Sequence, residues 1–223
     1  MPQLFGRSAN TLALVSIAVA GLVGAGTVGL MYALQSSPYT TQVKVFKQQP
    51  VPFSHQHHVQ GVGLDCRYCH TGVENSNFAG IPPVATCMNC HKMLWADQDM
   101  LKPVREASKE GGKPLEWQKV HKLPEFVYFN HSAHINKGVG CVSCHGRVDQ
   151  MPLMYKQNTL YMGWCLDCHR NPSKNLRPKD KVTDMEWQPD DEWKSKDKLA
   201  HHGIRPLKHF QVHQLTNCSV CHR

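Results

Sequence analysis

One pentapeptide pattern, Cys-x-x-Cys-His, occurs five times in these 223 residues and uses every cysteine of the chain. It is the attachment signature of c-type haem, because two thiols three positions apart form thioethers with one porphyrin and the next histidine becomes an axial ligand of its iron. The sequence therefore predicts five haem c groups. The attachment cysteines are Cys66, Cys69, Cys87, Cys90, Cys141, Cys144, Cys165, Cys168, Cys218 and Cys221, and the proximal histidines are His70, His91, His145, His169 and His222.

Ten cysteines also suit two other interpretations. Paired Cys-x-x-Cys units can bind zinc, and an even number of cysteines in an exported chain can form disulfides. Neither explains why a histidine follows every pair. Haem attachment accounts for all ten thiols and leaves none for catalysis, disulfides or lipidation.

Composition predicts how such a chain folds. Hydrophobic residues make up 41% of the sequence, but many lie in one N-terminal run, so the remainder has few core-forming side chains for its length. The porphyrins must then supply much of the buried apolar surface. We expect a haem-packed multihaem cytochrome c, mostly coil with short α-helices and little or no β-structure, preceded by one transmembrane helix. We also expect that the chain does not fold without haem.

The formal net charge of +8 would by itself suggest a nucleic-acid or membrane-surface partner. Five haems, however, bring about ten propionates, which lysine and arginine can pair. We therefore predict a nearly neutral holoprotein and no nucleic-acid partner.

Residues 11–34 form an uncharged, mostly apolar run that is long enough to cross the roughly 30 Å hydrocarbon core of a bilayer. It is longer than the 7–15 residue apolar core of cleaved signal peptides, which favours an uncleaved anchor. Because haem attachment in bacteria takes place outside the cytoplasmic membrane, we expect a single-pass inner-membrane protein with its haem domain in the periplasm. The predicted boundaries are a cytoplasmic N-terminus at 1–10, the anchor at 11–34, a linker at 35–52 and a pentahaem domain at 53–223.

The pentahaem domain contains an internal repeat. A Phe-x-His-x-x-His arm, followed by Gly-Val-Gly, precedes the first haem site at Phe53 and the third at Phe129. Two such units, each with one arm and two haem sites, account for four haems, and a truncated third unit supplies the fifth. The predicted units are 53–128, 129–206 and 207–223. Between motifs we expect a short helix within 97–110, capped by Asp97 and ended by Gly111 and Gly112, which Pro103 limits to a kinked or late-starting one. We also expect an irregular surface arm at 171–206.

The arms supply candidate distal ligands. The first histidine of each arm lies 14 or 15 residues before a proximal histidine, and the second can reach a neighbouring haem. The predicted distal ligands are His55, His58, His131 and His134. For the fifth distal position His121, His209 and Met151 are the candidates. A methionine ligand would raise the reduction potential of its haem. Packing in the hydrophobic core is the alternative interpretation of Met151. We interpret His57 as a surface residue or one that contacts propionates.

Three functions are compatible with this pattern. Six-coordinate haems favour electron transfer without catalysis by this chain alone. A multihaem reductase needs an iron with an open position, often signalled by a variant motif such as Cys-x-x-Cys-Lys, and no site here departs from Cys-x-x-Cys-His. An independent membrane-anchored quinol dehydrogenase needs a quinol pocket, yet no cluster of acidic and aromatic residues adjoins the anchor.

The arms and their sites resemble the class III multihaem cytochromes c. The fuller set of motifs, including FSHQHHVQGVGLDCRYCHTGVENS, IPPVATCMNCHK and MGWCLDCHRNP, is similar to the pentahaem cytochrome c subunits of bacterial alternative complex III, a quinol:electron acceptor oxidoreductase. That resemblance implies an electron conduit that associates with an iron–sulfur subunit, a polytopic quinol-binding membrane subunit and monohaem cytochrome c subunits. It also implies that electrons pass to a cytochrome c or a terminal oxidase.

Overall fold

The computed structural model describes residues 6, 8–189 and 215–222. The chain divides into a first unit that ends at Val43 and a second that begins at Lys44, inside the segment predicted as a linker. His209 lies outside the described residues.

The first unit consists of α1 (Ala9–Ser36) and the single-turn α2 (Pro38–Thr41). α1 has 28 residues, about 42 Å at 1.5 Å per residue, and none of them is buried. By length and composition α1 is able to cross a membrane. It extends the predicted span by two residues at each end, and its properties fit both a membrane anchor and a signal sequence near the N-terminus.

The second unit is built from short helices joined by long loops, as predicted. A π-helix (Gln56–Gly61) and four 3₁₀ turns (Asp99–Leu101, Val148–Gln150, Pro172–Asn175, Lys179–Lys181) accompany the α-helices. Within the described residues β-structure is limited to two isolated antiparallel bridges, Phe46 with Tyr155 and Val139 with Leu176. The α-helices are α3 (Cys66–Cys69), α4 (Val84–His91), α5 (Lys102–Ser108), α6 (His131–Ile135), α7 (Cys141–His145), α8 (Met162–Arg170) and α9 (Cys218–Cys221).

Every Cys-x-x-Cys pair lies on one of these helices, namely α3, α4, α7, α8 and α9. Residues three apart are neighbours on a helix surface, so one helical turn brings the two thiols of a motif to the same face. In α3, α7 and α9 the motif makes up most or all of the helix. The local helix therefore provides the thiol spacing that attachment to one porphyrin requires.

The hydrophobic cores of the second unit are small. Seven hydrophobic side chains are buried among the described residues, and most fall into two clusters. One contains Val51, Leu101 and Val104 and packs against Cys87 of the second haem site. The other contains Val148, Met151 and Met185 and packs against Cys66 and Cys141. Both clusters thus contact cysteines of the attachment sites.

The segment 171–187, named the strap below, differs from the expected surface arm. Arg177, Val182 and Met185 are buried. The Val182 carbonyl accepts a hydrogen bond from the Cys141 amide at 3.0 Å, and Thr183 Oγ1 donates to Asp65 Oδ2 at 2.8 Å. This part of the predicted arm therefore packs on the chain's own first and third haem sites, because it carries apolar residues for their shared core.

Candidate haem-binding sites

The two arms present their histidines in nearly the same way. The Phe53 ring lies edge-on to His55, with centroids 4.9 Å apart, and stacks on His58 at 4.4 Å. The Phe129 ring lies edge-on to His131 at 4.7 Å and stacks on His134 at 4.5 Å. A phenylalanine inserted between two imidazoles fixes both rings, so the sequence repeat is also a repeat of ring geometry.

Three arm histidines face a proximal histidine. The ring centroids of His58 and His91 are 6.1 Å apart, as are those of His134 and His169. The third pair, His131 and His145, has centroids 6.5 Å apart. The second histidine of each arm thus faces the second haem site of its own unit, and the first histidine of the second arm faces the site that follows it in sequence.

These separations fit an iron held between two imidazoles. With metal–nitrogen bonds of about 2.0–2.1 Å, two rings on opposite sides of one metal have centroids about 6 Å apart. The pairs at 6.1 and 6.5 Å meet that requirement. His121 lies only 4.3 Å from the His145 ring and nearly perpendicular to it, too close for an iron to lie between them.

Hydrogen bonds prepare the histidines as ligands. Nδ1 lies 2.6–3.0 Å from a backbone carbonyl in six of them. A carbonyl only accepts, so Nδ1 must carry the proton, and in the neutral ring this leaves the lone pair on Nε2 for a metal. The six histidines and their carbonyls are His58 with Ser54, His70 with Gly80, His91 with Leu94, His131 with Asn77, His134 with Asn130 and His222 with Phe126.

Burial keeps several of these imidazoles neutral. It lowers the pKa of His55 to about 4, with further contributions from His70 and His58. The pKa of His145 falls to about 3, mainly through burial and then through the nearby His121 and His131. Burial also lowers the pKa of His58 and of His134, against the opposing effect of their carbonyl hydrogen bonds. Only the neutral ring can donate its lone pair to a metal.

One hydrogen bond and several electrostatic interactions between thiols link the sites. Cys66 of the first site and Cys141 of the third share a side-chain hydrogen bond, which raises the pKa of Cys66. Burial, and then the Cys87 thiol of the second site, raise the pKa of Cys69. Burial and the nearby thiols of the fourth site raise the pKa of Cys144 to about 11. Cys165 likewise interacts electrostatically with Cys221, so these interactions link the sites in the order second, first, third, fourth, fifth.

The fifth site is joined to the start of the second arm. The Tyr128 amide donates to the Cys221 carbonyl at 2.8 Å, and the His222 ring lies 5.7 Å from the Phe126 ring. Within the described ranges no histidine ring pairs with His222. His121 lies beside His145 instead, and its buried Nε2 has no hydrogen-bond partner. Met151 is 1% exposed in the core cluster of the first and third sites.

The strap was not recognised as part of these sites from the sequence, since it contains no haem motif. Asn175 Nδ2 lies 3.2 Å from Cys168 Sγ, and Lys174 Nζ lies 2.6 Å from Asp167 Oδ2 within the fourth motif. With its bonds to Cys141 and Asp65, the strap contacts three attachment sites.

Helical attachment motifs and paired neutral histidines define a multihaem cytochrome c. Residues 33–111 match the class III cytochrome c family, and the chain belongs to that family. It is also 34% identical over 146 residues to the menaquinone reductase multiheme cytochrome c subunit of Nitratidesulfovibrio vulgaris (strain Hildenborough), an alignment that covers 56% of this chain and 69% of the relative. Covalently bound haem c and electron transfer follow for this chain from its family.

Proposed function

We propose that the chain is a pentahaem, membrane-anchored subunit that relays electrons between a quinone-reactive membrane complex and a further electron carrier. The observation that carries this proposal is the pairing of arm histidines with proximal histidines at 6.1–6.5 Å. Two axial histidines would fill both open positions of an iron, which favours electron transfer over substrate binding. Haem, when bound, supplies one-electron redox chemistry.

In this proposal each haem is held by two cysteines, a proximal histidine and a distal ligand. The paired rings support His58 as the distal ligand opposite His91, His131 opposite His145, and His134 opposite His169. His55 is proposed opposite His70, because the two lie close enough to affect the pKa of His55. For the fifth haem His209 stays a prediction from the sequence. His121 and Met151 are not favoured there, because they lie at the third site and in the core beside it.

The proposed path of the electrons runs through the sites in the order in which their thiols interact, namely second, first, third, fourth and fifth. Its two ends are then the second site, on α4, and the fifth, on α9. Cys90 of the second site and Cys218 of the fifth are both exposed, whereas the thiols of the first, third and fourth sites are partly buried. We propose that electrons enter at one exposed end and leave at the other.

We further propose that α1 anchors the chain in the inner membrane with its haem domain on the periplasmic side, and that the chain is built as 53–128, 129–206 and 207–223. The resemblance to alternative complex III supports an iron–sulfur subunit, a polytopic quinol-binding subunit and monohaem cytochrome c as partners. In this case electrons flow from quinol to a cytochrome c or a terminal oxidase.

A second candidate is favoured by the relative from N. vulgaris, whose name describes a menaquinone reductase. Here the same relay would carry electrons toward the quinone. The haem sites are compatible with both directions, because a relay is reversible and its partners decide the net flow.

The decisive experiment is to purify the chain from membranes in mild detergent, identify the proteins that accompany it, and record the haem α-band after adding a reduced quinol. Haem reduction in the complex, but not in the separated subunit, is expected for a quinol-oxidising complex. Reoxidation of the reduced haems by added menaquinone would select the second candidate. Prompt reduction of the separated subunit would show that it has its own quinol site and would contradict the relay proposal.

A further inference from the structure

The third haem site has a buried cation beside it. Arg177, on the strap, is 6% exposed, and no other lysine or arginine in the described part of the chain is buried. Its backbone amide donates to the Gly138 carbonyl at 2.8 Å. A side chain at Gly140 would overlap its guanidinium, so the positive charge lies directly against the residue that precedes Cys141.

No carboxylate forms an ion pair with this charge among the described residues. The nearest acidic influence is Asp184, whose carboxylate pairs with Lys181 at 3.6 Å and acts on Arg177 only at longer range. Arg177 Nη1 donates to the carbonyls of Asp184, at 2.8 Å, and Lys181, at 3.4 Å. The guanidinium also lies over the Trp187 ring, 5.0 Å from its centroid. Its Nε is buried and has no hydrogen-bond partner. Carbonyls and an aromatic face stabilise a buried guanidinium without cancelling its charge.

A fixed positive charge affects a nearby iron in one direction. The ferrous iron of a haem carries one positive charge less than the ferric iron, so repulsion from a neighbouring cation favours the reduced state and raises the reduction potential. The effect is large only where water and salt do not screen the charge, and Arg177 meets this condition through its burial.

We propose that Arg177 raises the reduction potential of the haem attached at Cys141 and Cys144. This inference rests on the proposed function, because it assumes a haem at the third site. It adds a positioning role for the strap, which holds a charge at the middle of the relay. Among the described residues the first repeat has no cation at the matching glycines, since a Cβ at Gly63 would meet no atom within 4 Å and one at Gly61 would meet only Gln56 and His57.

The test is a redox titration of the full-length, haem-loaded protein in detergent, followed by electron paramagnetic resonance. The third site differs from the second and fourth, because the His131 and His145 rings are 10° apart, whereas the His58/His91 and His134/His169 planes differ by 66° and 84°. Parallel imidazole planes separate the two iron orbitals that share the unpaired electron, and perpendicular planes leave them close in energy. The spectrum of the third haem therefore has the smaller spread of g values.

We call the resonance signal of the haem at the third site the third component. In Arg177→Met we expect it to become about tenfold harder to reduce, a downward shift of about 59 mV in reduction potential for a one-electron couple. Arg177→Lys keeps the charge and should leave that component in place. The matched control is Arg105→Met, because Arg105 Nη1 also donates to two carbonyls, those of Ala96 and Gln98, but on α5 beside the second site. It should not move the third component.

Two results would overturn the inference. One is an unchanged third component in Arg177→Met with full haem content. The other is a downward shift of about 59 mV in Arg177→Lys, which keeps the charge. The lysine variant therefore tests the inference even if Arg177→Met does not take up its haems. Haem content is measured first, by mass spectrometry of the peptide that carries Cys141. A missing haem at that peptide in the unmodified protein would contradict the proposed function itself, independently of any result on Arg177.

Discussion

The two Phe-x-His-x-x-His arms are alike where their contacts are local and differ where they depend on distant residues. In each arm Nδ1 of the second histidine donates to a carbonyl four residues earlier, Ser54 at 2.8 Å in the first arm and Asn130 at 2.7 Å in the second. The first histidines differ. His131 Nδ1 donates to the Asn77 carbonyl, contributed by the other repeat, whereas His55 Nδ1 is buried without a partner.

The backbone of the arms differs as well. The first arm continues as a π-helix, Gln56–Gly61, and the second as α6, where the Asn130 side chain accepts from the Ala133 amide. The glycines that follow meet different surroundings, because the strap packs on Gly138 and Gly140, whereas a Cβ at Gly61 or Gly63 would meet no strap atom within 4 Å. A duplicated sequence thus reproduces the position of the second histidine, while the unduplicated parts of the chain decide the environment of each haem.

The largest expected effect comes from removing the second histidine of either arm. His58→Ala and His134→Ala should each convert one low-spin haem of the five into a high-spin haem that binds CO when reduced, since one axial ligand is lost. The measurement is the CO difference spectrum relative to total haem. His57→Ala is the control, because this exposed ring stacks on Trp95 instead of facing a proximal histidine. CO binding in the control, or none in either variant, would contradict the proposed ligands.

The strap can be tested at the first glycine of each Gly-Val-Gly. Gly138 has φ +85° and a Cβ there would meet the Arg177 carbonyl oxygen, so Gly138→Ala should lower the free energy of unfolding by about 2–4 kcal/mol through backbone strain and overpacking. Gly61 has no positive φ, and a Cβ there would make only ordinary contacts with Gln56 and His57, so Gly61→Ala should be neutral or slightly stabilising. Denaturant unfolding of the holoprotein measures both. Equal losses in the two variants would show that the strap does not distinguish the arms.

The stacked phenylalanines should matter equally in both arms. Each contacts two imidazoles, and aromatic pairs contribute about 0.5–1.5 kcal/mol each, so Phe53→Ala and Phe129→Ala should each destabilise the holoprotein by about 1–3 kcal/mol. The leucine variants, which keep part of the packing, should lose less. Thermal unfolding checks the prediction. A clear difference between the two arms would mean that the shared ring geometry is not what holds their histidines.

The sequence predicted the local features of this molecule well. Short helices and long loops follow from residue spacing. Of the two alternatives for the helix around Pro103, kinked or late-starting, the structure has the second, because α5 begins at Lys102 with Pro103 in its first turn, where no proline amide is needed. The predicted cap at Asp97 was wrong, since Leu101 is the N-cap. The apolar helix α1 extends two residues beyond the predicted run at each end. These features depend on a few consecutive residues, which a single sequence contains in full.

Long-range features could not be predicted. In the sequence the strap has the pattern of a charged, proline-containing loop. Only the fold shows that Arg177 contacts Gly140 and that the Val182 carbonyl accepts a hydrogen bond from the Cys141 amide. The order of the haem sites was likewise hidden, because Cys66 and Cys141 are 75 residues apart in sequence and meet only in the folded chain. Such contacts depend on how the loops pack around haem, and a sequence motif of a few consecutive residues does not determine that packing.

The smallest expected effect concerns how the attachment helices begin. Asp65 is the N-cap of α3 and accepts from the Arg67 amide at 2.8 Å, whereas α7 begins after Gly140, which has no capping side chain. The Arg67 side chain, against opposing desolvation, lowers the pKa of Asp65 to about 2, with help from the Arg67 amide and Thr183. Because Asp65 is half exposed, Asp65→Ala should cost only about 0.5–1 kcal/mol at neutral pH.

The pH dependence distinguishes the cap from simple packing. A carboxyl whose folded pKa is lowered stabilises the protein above its unfolded pKa of about 3.9, and this contribution is lost as the pH falls toward 2. The stability difference between the unmodified protein and Asp65→Ala should therefore shrink below about pH 4. Asparagine also caps helices but does not titrate, so the difference between Asp65→Asn and Asp65→Ala should persist at low pH. If the difference in unfolding free energy between the unmodified protein and Asp65→Ala is instead constant from pH 6 to pH 3, the charge of the carboxylate does not stabilise α3. In that case charge at the helix start does not distinguish α3 from α7.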